Sequence, residues 1–228
     1  MNFYRPFINK KARLEMSFIM YHDPGGALAA IFSSMPLPLK QHCIKVGAVA
    51  GMMAERAPES AIPEGMTRQD YANAVRYGGF YHDIGAYLRY NQWAEYPAAG
   101  KSILEKEISP RVVCDPIRRV ILETVGCFGE RFDGAGRQIP FHAGVCAIAD
   151  AVDMIAGGRK IFLTSAIQSA KKYIREQTGV IFLPDAAAGF SAAEDAIFAL
   201  YRSWKISPPM WKYNDLKPIY RAYKTVIG

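Results

Sequence analysis

Apolar positions along this chain recur every three or four residues far more often than every second residue, so the elements they predict are helices. Thr67-Arg68-Gln69-Asp70 reads as a capping box ahead of Tyr71, Ala74, Val75, Gly78 and Tyr81, which share one face of a helix running to about Asp83. Asp115 and Pro116 supply an N-cap and a first-turn proline for a helix from Ile117 to roughly Val125. After Ile139-Pro140 a further helix is predicted, with Val145, Ile148, Ala149, Val152 and Ile155 on its core face and Gly157-Gly158 as its stop. Ser165 to Thr178 reads as a helix ended by Gly179, and Ser191-Ala192-Ala193-Glu194 is expected to cap a last long helix through about Trp204. Strand-like alternation is scarce: Val180-Ile181-Phe182-Leu183 is the best short stretch, and it reads equally well as an extended connector. The pattern predicts an all-α fold, a bundle of about seven to nine helices.

Composition changes this picture little. A chain of 228 residues, 50% hydrophobic and 21% charged, suits one globular domain and excludes a disordered one. Its net charge of +7 is compatible with phosphorylated ligands, nucleic acid or an anionic lipid surface and selects none of them. Arg5, Lys10, Lys11, Arg13 and Glu15 interrupt the N-terminus, so no cleaved secretory signal is expected and the cytoplasm is the expected compartment. The longest uncharged stretch, Pro24 to Leu39, contains Gly25-Gly26, Pro36 and Pro38 and falls short of the roughly 20 apolar residues that span a bilayer, so no membrane insertion is expected. Cys43, Cys114, Cys127 and Cys146 show no Cys-x-x-Cys spacing and are expected to be reduced, mostly buried thiols. The aromatics of the tail, Tyr201, Trp204, Trp211, Tyr213, Tyr220 and Tyr223, are expected in a core or partner interface rather than stacked on nucleic acid.

The four histidines carry most of the chemical information. His22-Asp23, ahead of Pro24 and Gly25-Gly26, reads as a turn. His142 follows Pro140-Phe141 at a helix start and is expected on the surface. His82-Asp83 differs, because it ends an apolar helix just after Gly78-Gly79, where a buried pair needs hydrogen-bond partners or a metal. Imidazole and carboxylate together suit a divalent ion such as Mn, Fe, Co, Ni or Zn.

With His42 before this doublet and Asp150 well after it, the chain resembles the HD-domain metal-dependent phosphohydrolases, whose ligand pattern is a His, a His-Asp doublet and a distant Asp. Over roughly Gln41 to Phe190 the resemblance points to the HD-GYP branch: Gly129-Glu130-Arg131-Phe132-Asp133-Gly134-Ala135-Gly136, Ile139-Pro140, Asp150 with Asp153, and Arg159 follow its central segment, and Pro97, Gly100 and Ile103-Leu104 look like its His-Pro-x-x-Gly segment. The departures are specific. Phe128-Gly129 stands where that branch has two metal-binding histidines, Tyr96 where it has another, Ala86 where it has a lysine, and Gly136-Arg137-Gln138 in place of Gly-Tyr-Pro.

The resemblance implies an HD-domain-like bundle at residues 41–190, an N-terminal helical extension at 1–40, and a C-terminal helix with a basic aromatic tail at 191–228 packing on the same domain. It also implies one divalent ion on His42, His82, Asp83 and Asp150, and hydrolysis of a nucleotide or other phosphate ester through a metal-bound water, with Asp83 catalytic. Arg131 and Arg159 would contact substrate phosphate, with Arg137 and Lys101 as further contacts or solvated charges. Cys146 and Asp153, one turn from Asp150, would support that ligand or merely pack. A second reading stays open, in which the four polar residues form a metal-free hydrogen-bonded cluster in a catalytically inactive nucleotide sensor or signalling interaction module. The partners expected are a phosphorylated small molecule or nucleotide, with a signalling protein and a second copy of the chain left open and nucleic acid not expected.

Overall fold

Helices α1 (Leu37–Ala54) and α2 (Arg68–Tyr81) form the most extensive helix pair among the described residues, and two glycines let them approach. In a computed structural model of the chain, which describes Leu28, Ile31, Met35 and residues 37–85, 96–108, 113, 115–129, 132, 138–157 and 163–206, a Cβ on Gly79 would stand 2.7 Å from the Cα of Gly47. No side chain larger than hydrogen fits that crossing. The entry to α2 is the one the sequence predicts: the Asp70 backbone N–H donates to the Thr67 hydroxyl oxygen at 3.1 Å, and that hydroxyl donates to the Asp70 carboxylate at 2.6 Å. Tyr71, Ala74, Val75, Gly78 and Tyr81 are all buried, and the helix ends with His82 as its C-cap.

Helices α3 (Tyr96–Glu107), α4 (Asp115–Cys127), α5 (Phe141–Val152), α6 (Leu163–Gln177) and α7 (Pro184–Ile206) complete the bundle, with a 3-10 turn at Glu59–Ala61 and a π-turn at Asp153–Gly157 directly continuing α5. Helix α5 lies at the centre, in contact with α1, α2, α4, α6 and α7. Its predicted core positions Val145, Ile148, Ala149 and Val152 are fully buried against Val46, Val49, Ala50 and Met53 of the same apolar core. The fold class is thus all-α, with seven α-helices and no strand among the described residues. No helix among the described residues is long and apolar enough to cross a membrane.

One open alternative is settled and two expectations are corrected. Val180–Leu183 is connector: an isolated bridge joins Thr178 to Phe182 around Gly179, which adopts φ +75°. The last helix begins at Pro184 rather than at Ser191. Proline is suited to a first helical turn, and the Ser191 hydroxyl donates to the Ala187 carbonyl one turn back, so Ser191 lies within the helix and caps nothing. His142 is not a surface residue: it is 6% exposed, because α5 is enclosed on several sides and even its first turn faces the interior. The predicted N-terminal extension lies mostly outside the described residues, as do His22, Asp23 and the tail beyond Ile206. Cys43 and Cys146 are buried and Cys127 is half-buried, and none of the three is in a disulfide; Cys114 lies outside the described residues.

Candidate metal centre

Two helices, the end of a third and the π-turn that follows it bring side chains to a single point beside α5. His82 and Asp83 sit where α2 ends, His42 projects from α1, Asp150 comes from the last turn of α5 and Asp153 from the π-turn. His82 is completely buried and donates its Nδ1 hydrogen to the Gly79 carbonyl at 2.8 Å. His42 donates its Nδ1 hydrogen to Asp153 Oδ2, also at 2.8 Å, since an ionised carboxylate only accepts. Both imidazoles therefore turn their Nε2 atoms inward, and these stand 3.2 Å apart.

Two neutral imidazoles so arranged would face each other lone pair to lone pair. A proton or a cation must lie between them. Carboxylates surround that point: Asp150 Oδ1 is 3.1 Å from His42 Nε2 and 3.9 Å from His82 Nε2, and Asp83 Oδ2 is 3.5 Å and 3.4 Å from the same two atoms. Burial pulls the His42 pKa down, but hydrogen bonds to Asp150 and Asp153 and the charges of both carry it up to about 10. The Asp150 carboxyl is pushed up by burial, yet the His42 hydrogen bond and the two imidazoles hold it below the usual aspartate range. A positive charge at this point is what the cluster demands.

A divalent ion meets the same demand with more ligands. Donors at ~2.1 Å from one ion stand roughly 3.0 Å apart in adjacent octahedral positions and roughly 3.4 Å apart in a tetrahedron. Four of the five separations, 3.1 to 3.5 Å, lie near these values, and the His82–Asp150 pair is wider at 3.9 Å. His42, His82 and Asp150 thus form one group able to hold a metal, and Cys43, His82 and Asp83 form another. Burial, with Asp83 and Asp150 adding their charges, pushes the Cys43 thiol well above its ordinary pKa, and the thiolate is the form that ligates. The imidazole and carboxylate set is the better match.

Of the residues expected at the site, His42, His82, Asp83 and Asp150 are thus brought together, while Arg131, Arg159 and Arg137 lie outside the described residues. Cys146 is fully buried, with burial and the Asp150 and Asp83 charges keeping it a thiol. Phe128 meets the His82 ring edge to face, centroids 4.9 Å apart. Sequence reading missed two contributors. Lys45, three residues after His42 and so on the same face of α1, lies 3.3 Å from Asp153 Oδ1. Tyr201 of α7 donates its hydroxyl to the same oxygen at 2.9 Å, and no local pattern marks it out from the other aromatics near it.

No curated protein is significantly similar to the chain. The family model of the HD domain, by contrast, matches residues 39–155, more than half of the 228, from the start of α1 to within the π-turn. His42, His82-Asp83 and Asp150 all fall inside that match, and the chain belongs to the HD-domain superfamily of metal-dependent phosphohydrolases.

Proposed function

We propose that the protein is an HD-type phosphohydrolase that holds one divalent ion on His42, His82, Asp83 and Asp150 and cleaves a nucleotide or other phosphate ester. The observation that carries this reading is the inward convergence of two Nε2 atoms 3.2 Å apart, each with its Nδ1 hydrogen already engaged elsewhere. When bound, an ion of the Mn, Fe, Co, Ni or Zn type would lower the pKa of a coordinated water and polarise a phosphoryl oxygen. The chain's own residues do the rest. His82 is fixed by the Gly79 carbonyl and by the Phe128 ring, so its nitrogen cannot swing away. Asp83 follows it directly, and its carboxylate beside the ion would orient an attacking water and accept its proton. Asp150 is the most exposed of the four, its side chain 31% accessible, and would be the ligand nearest an arriving phosphate. Arg131 and Arg159 are proposed as its phosphate contacts.

Phe128 favours one ion over two, because its apolar ring occupies the wall beside His82 where the resembling HD-GYP branch supplies further imidazoles. The same substitution supports the second reading, an inactive HD-GYP-like module that senses a nucleotide or docks a signalling protein. Metal content of protein purified without chelator, assayed beside His82→Ala and followed by a panel of phosphomonoesters, phosphodiesters and nucleotides, separates the two. Near one equivalent of metal with turnover of at least one phosphate ester, both lost in His82→Ala, is the expected result. Metal without turnover across the panel would favour the sensor, and no metal at all would overturn the proposal.

A further inference from the structure

We propose that Asp153 is the positioning residue of His42, and that the last helix of the protein holds it in place through Tyr201. The inference rests on the reading of His42 as a metal ligand and concerns how that ligand is aimed. Asp153 is buried, and both of its oxygens are engaged. Oδ2 accepts the His42 Nδ1 hydrogen at 2.8 Å, while Oδ1 accepts the Tyr201 hydroxyl at 2.9 Å and lies 3.3 Å from Lys45 Nζ. With Oδ1 fixed from two sides, the carboxylate cannot rotate, and the ring it holds is left with one orientation and one tautomer.

The backbone is shaped around this carboxylate. Helix α5 does not end at Val152 but passes into a π-turn over Asp153–Gly157, a wider coil of the kind that occurs at functional sites. The turn brings Gly157 so close that a Cβ there would fall 2.1 Å from Asp153 Oδ1. Only glycine leaves room for the carboxylate. The Gly157 carbonyl in turn accepts from Lys45 Nζ at 3.4 Å, so the lysine bridges the turn and the acid it encloses. Tyr201 lies well beyond the HD-domain match at 39–155, so a helix outside the family match reaches the metal centre through one hydroxyl.

The full chain carrying Asp153→Asn, Gly157→Ala or Tyr201→Phe tests this with two readouts. One is Co2+ affinity by calorimetry together with the Co2+ absorption spectrum. The other, independent of metal, is the NMR resonance of the His42 Nδ1 hydrogen in the metal-free protein. Asp153→Asn and Gly157→Ala are expected to weaken Co2+ binding about 10- to 100-fold, and Tyr201→Phe, which removes a single oxygen, roughly 3- to 10-fold, with a changed Co2+ spectrum in each. The Nδ1 resonance is expected to move in all three variants. Gly157→Ala keeps the charge of Asp153 and serves if Asp153→Asn does not fold. If wild type binds Co2+ and the variants bind it equally, with the same spectrum, the positioning role is overturned and the metal reading stands. If wild type binds no Co2+, the metal reading fails; a resonance that still moves keeps Asp153 as the residue orienting His42, and one that does not overturns both.

Discussion

Among the described residues histidines are buried in two places, and one of the two has the makings of a metal site. His142 is buried between α2 and α4 with each ring nitrogen facing one partner: the Tyr71 hydroxyl stands 3.5 Å from Nδ1 and Glu123 Oε2 lies 3.0 Å from Nε2. Donors and acceptors balance there, and nothing further is needed. At His42 and His82 they do not balance, because both Nδ1 hydrogens point away from a centre in which two nitrogens and the oxygens of Asp83 and Asp150 face one another. Burial of a histidine therefore says little about ligation. The direction in which its hydrogens are used says a great deal.

The largest expected effect separates the clusters outright. Replacing His82 or Asp150 by alanine removes a proposed donor and should lower metal affinity by more than the ~10- to 100-fold lost with supporting residues. His142→Gln should leave that affinity unchanged while costing about 1–3 kcal/mol of stability in urea denaturation, through the buried groups left unpaired. Equal metal loss in both variants would erase the distinction between the two clusters.

Next comes the pH dependence of the metal-free protein. His42 has a folded-state pKa of about 10, raised from 6.5, so its contribution is fully present below pH 6.5 and is lost as pH rises toward 10. Glu123 has the opposite sign. The His142 hydrogen bond, against burial, holds its carboxyl below 4.5, so its contribution is present above that pH and is lost as pH falls. Thermal melts from about pH 2 to pH 10 should thus show an alkaline decline that vanishes in His42→Gln, and an acid decline that is weakened in Glu123→Gln. Because a bound ion must displace the His42 proton, metal affinity should climb about tenfold per unit between pH 7 and pH 9. A flat alkaline side in wild type would remove the charge imbalance on which the contrast rests.

The smallest effect concerns the frame. Gly79→Ala would press a methyl on the Gly47 backbone, at a cost of about 1–3 kcal/mol, and the shift of α1 against α2 should weaken metal binding as well. The ring environment of His142, set by α2, α4 and α5, should stay as it is in NMR spectra.

Much of this is legible in the residues themselves. The three-and-four spacing of Tyr71, Ala74, Val75, Gly78 and Tyr81 with the Thr67 cap places α2 to within two residues, because local propensity and burial agree there. The His42, His82-Asp83 and Asp150 quartet is anticipated through the resemblance to HD-domain proteins, whereas the helical pattern alone marks out only the His82-Asp83 pair. His142 escapes because burial of a helix start depends on how many neighbours enclose α5, which is a property of the assembled bundle. Tyr201 escapes for a related reason: its partner is 48 residues away, and an aromatic beside other aromatics carries no sign of what its hydroxyl meets. The start of α7 is misread because Ser191 and Glu194 imitate a cap inside a helix that Pro184 has already begun.

The edge of Phe128 on His82 has a consequence for solvent access. His82 is wholly shut off, His42 and Asp83 are 15% and 18% exposed, and Asp150 is 31% exposed, so the four side chains meet water unevenly. Solvent therefore meets Asp150 first among the four side chains, and His82, backed by the Phe128 ring, last.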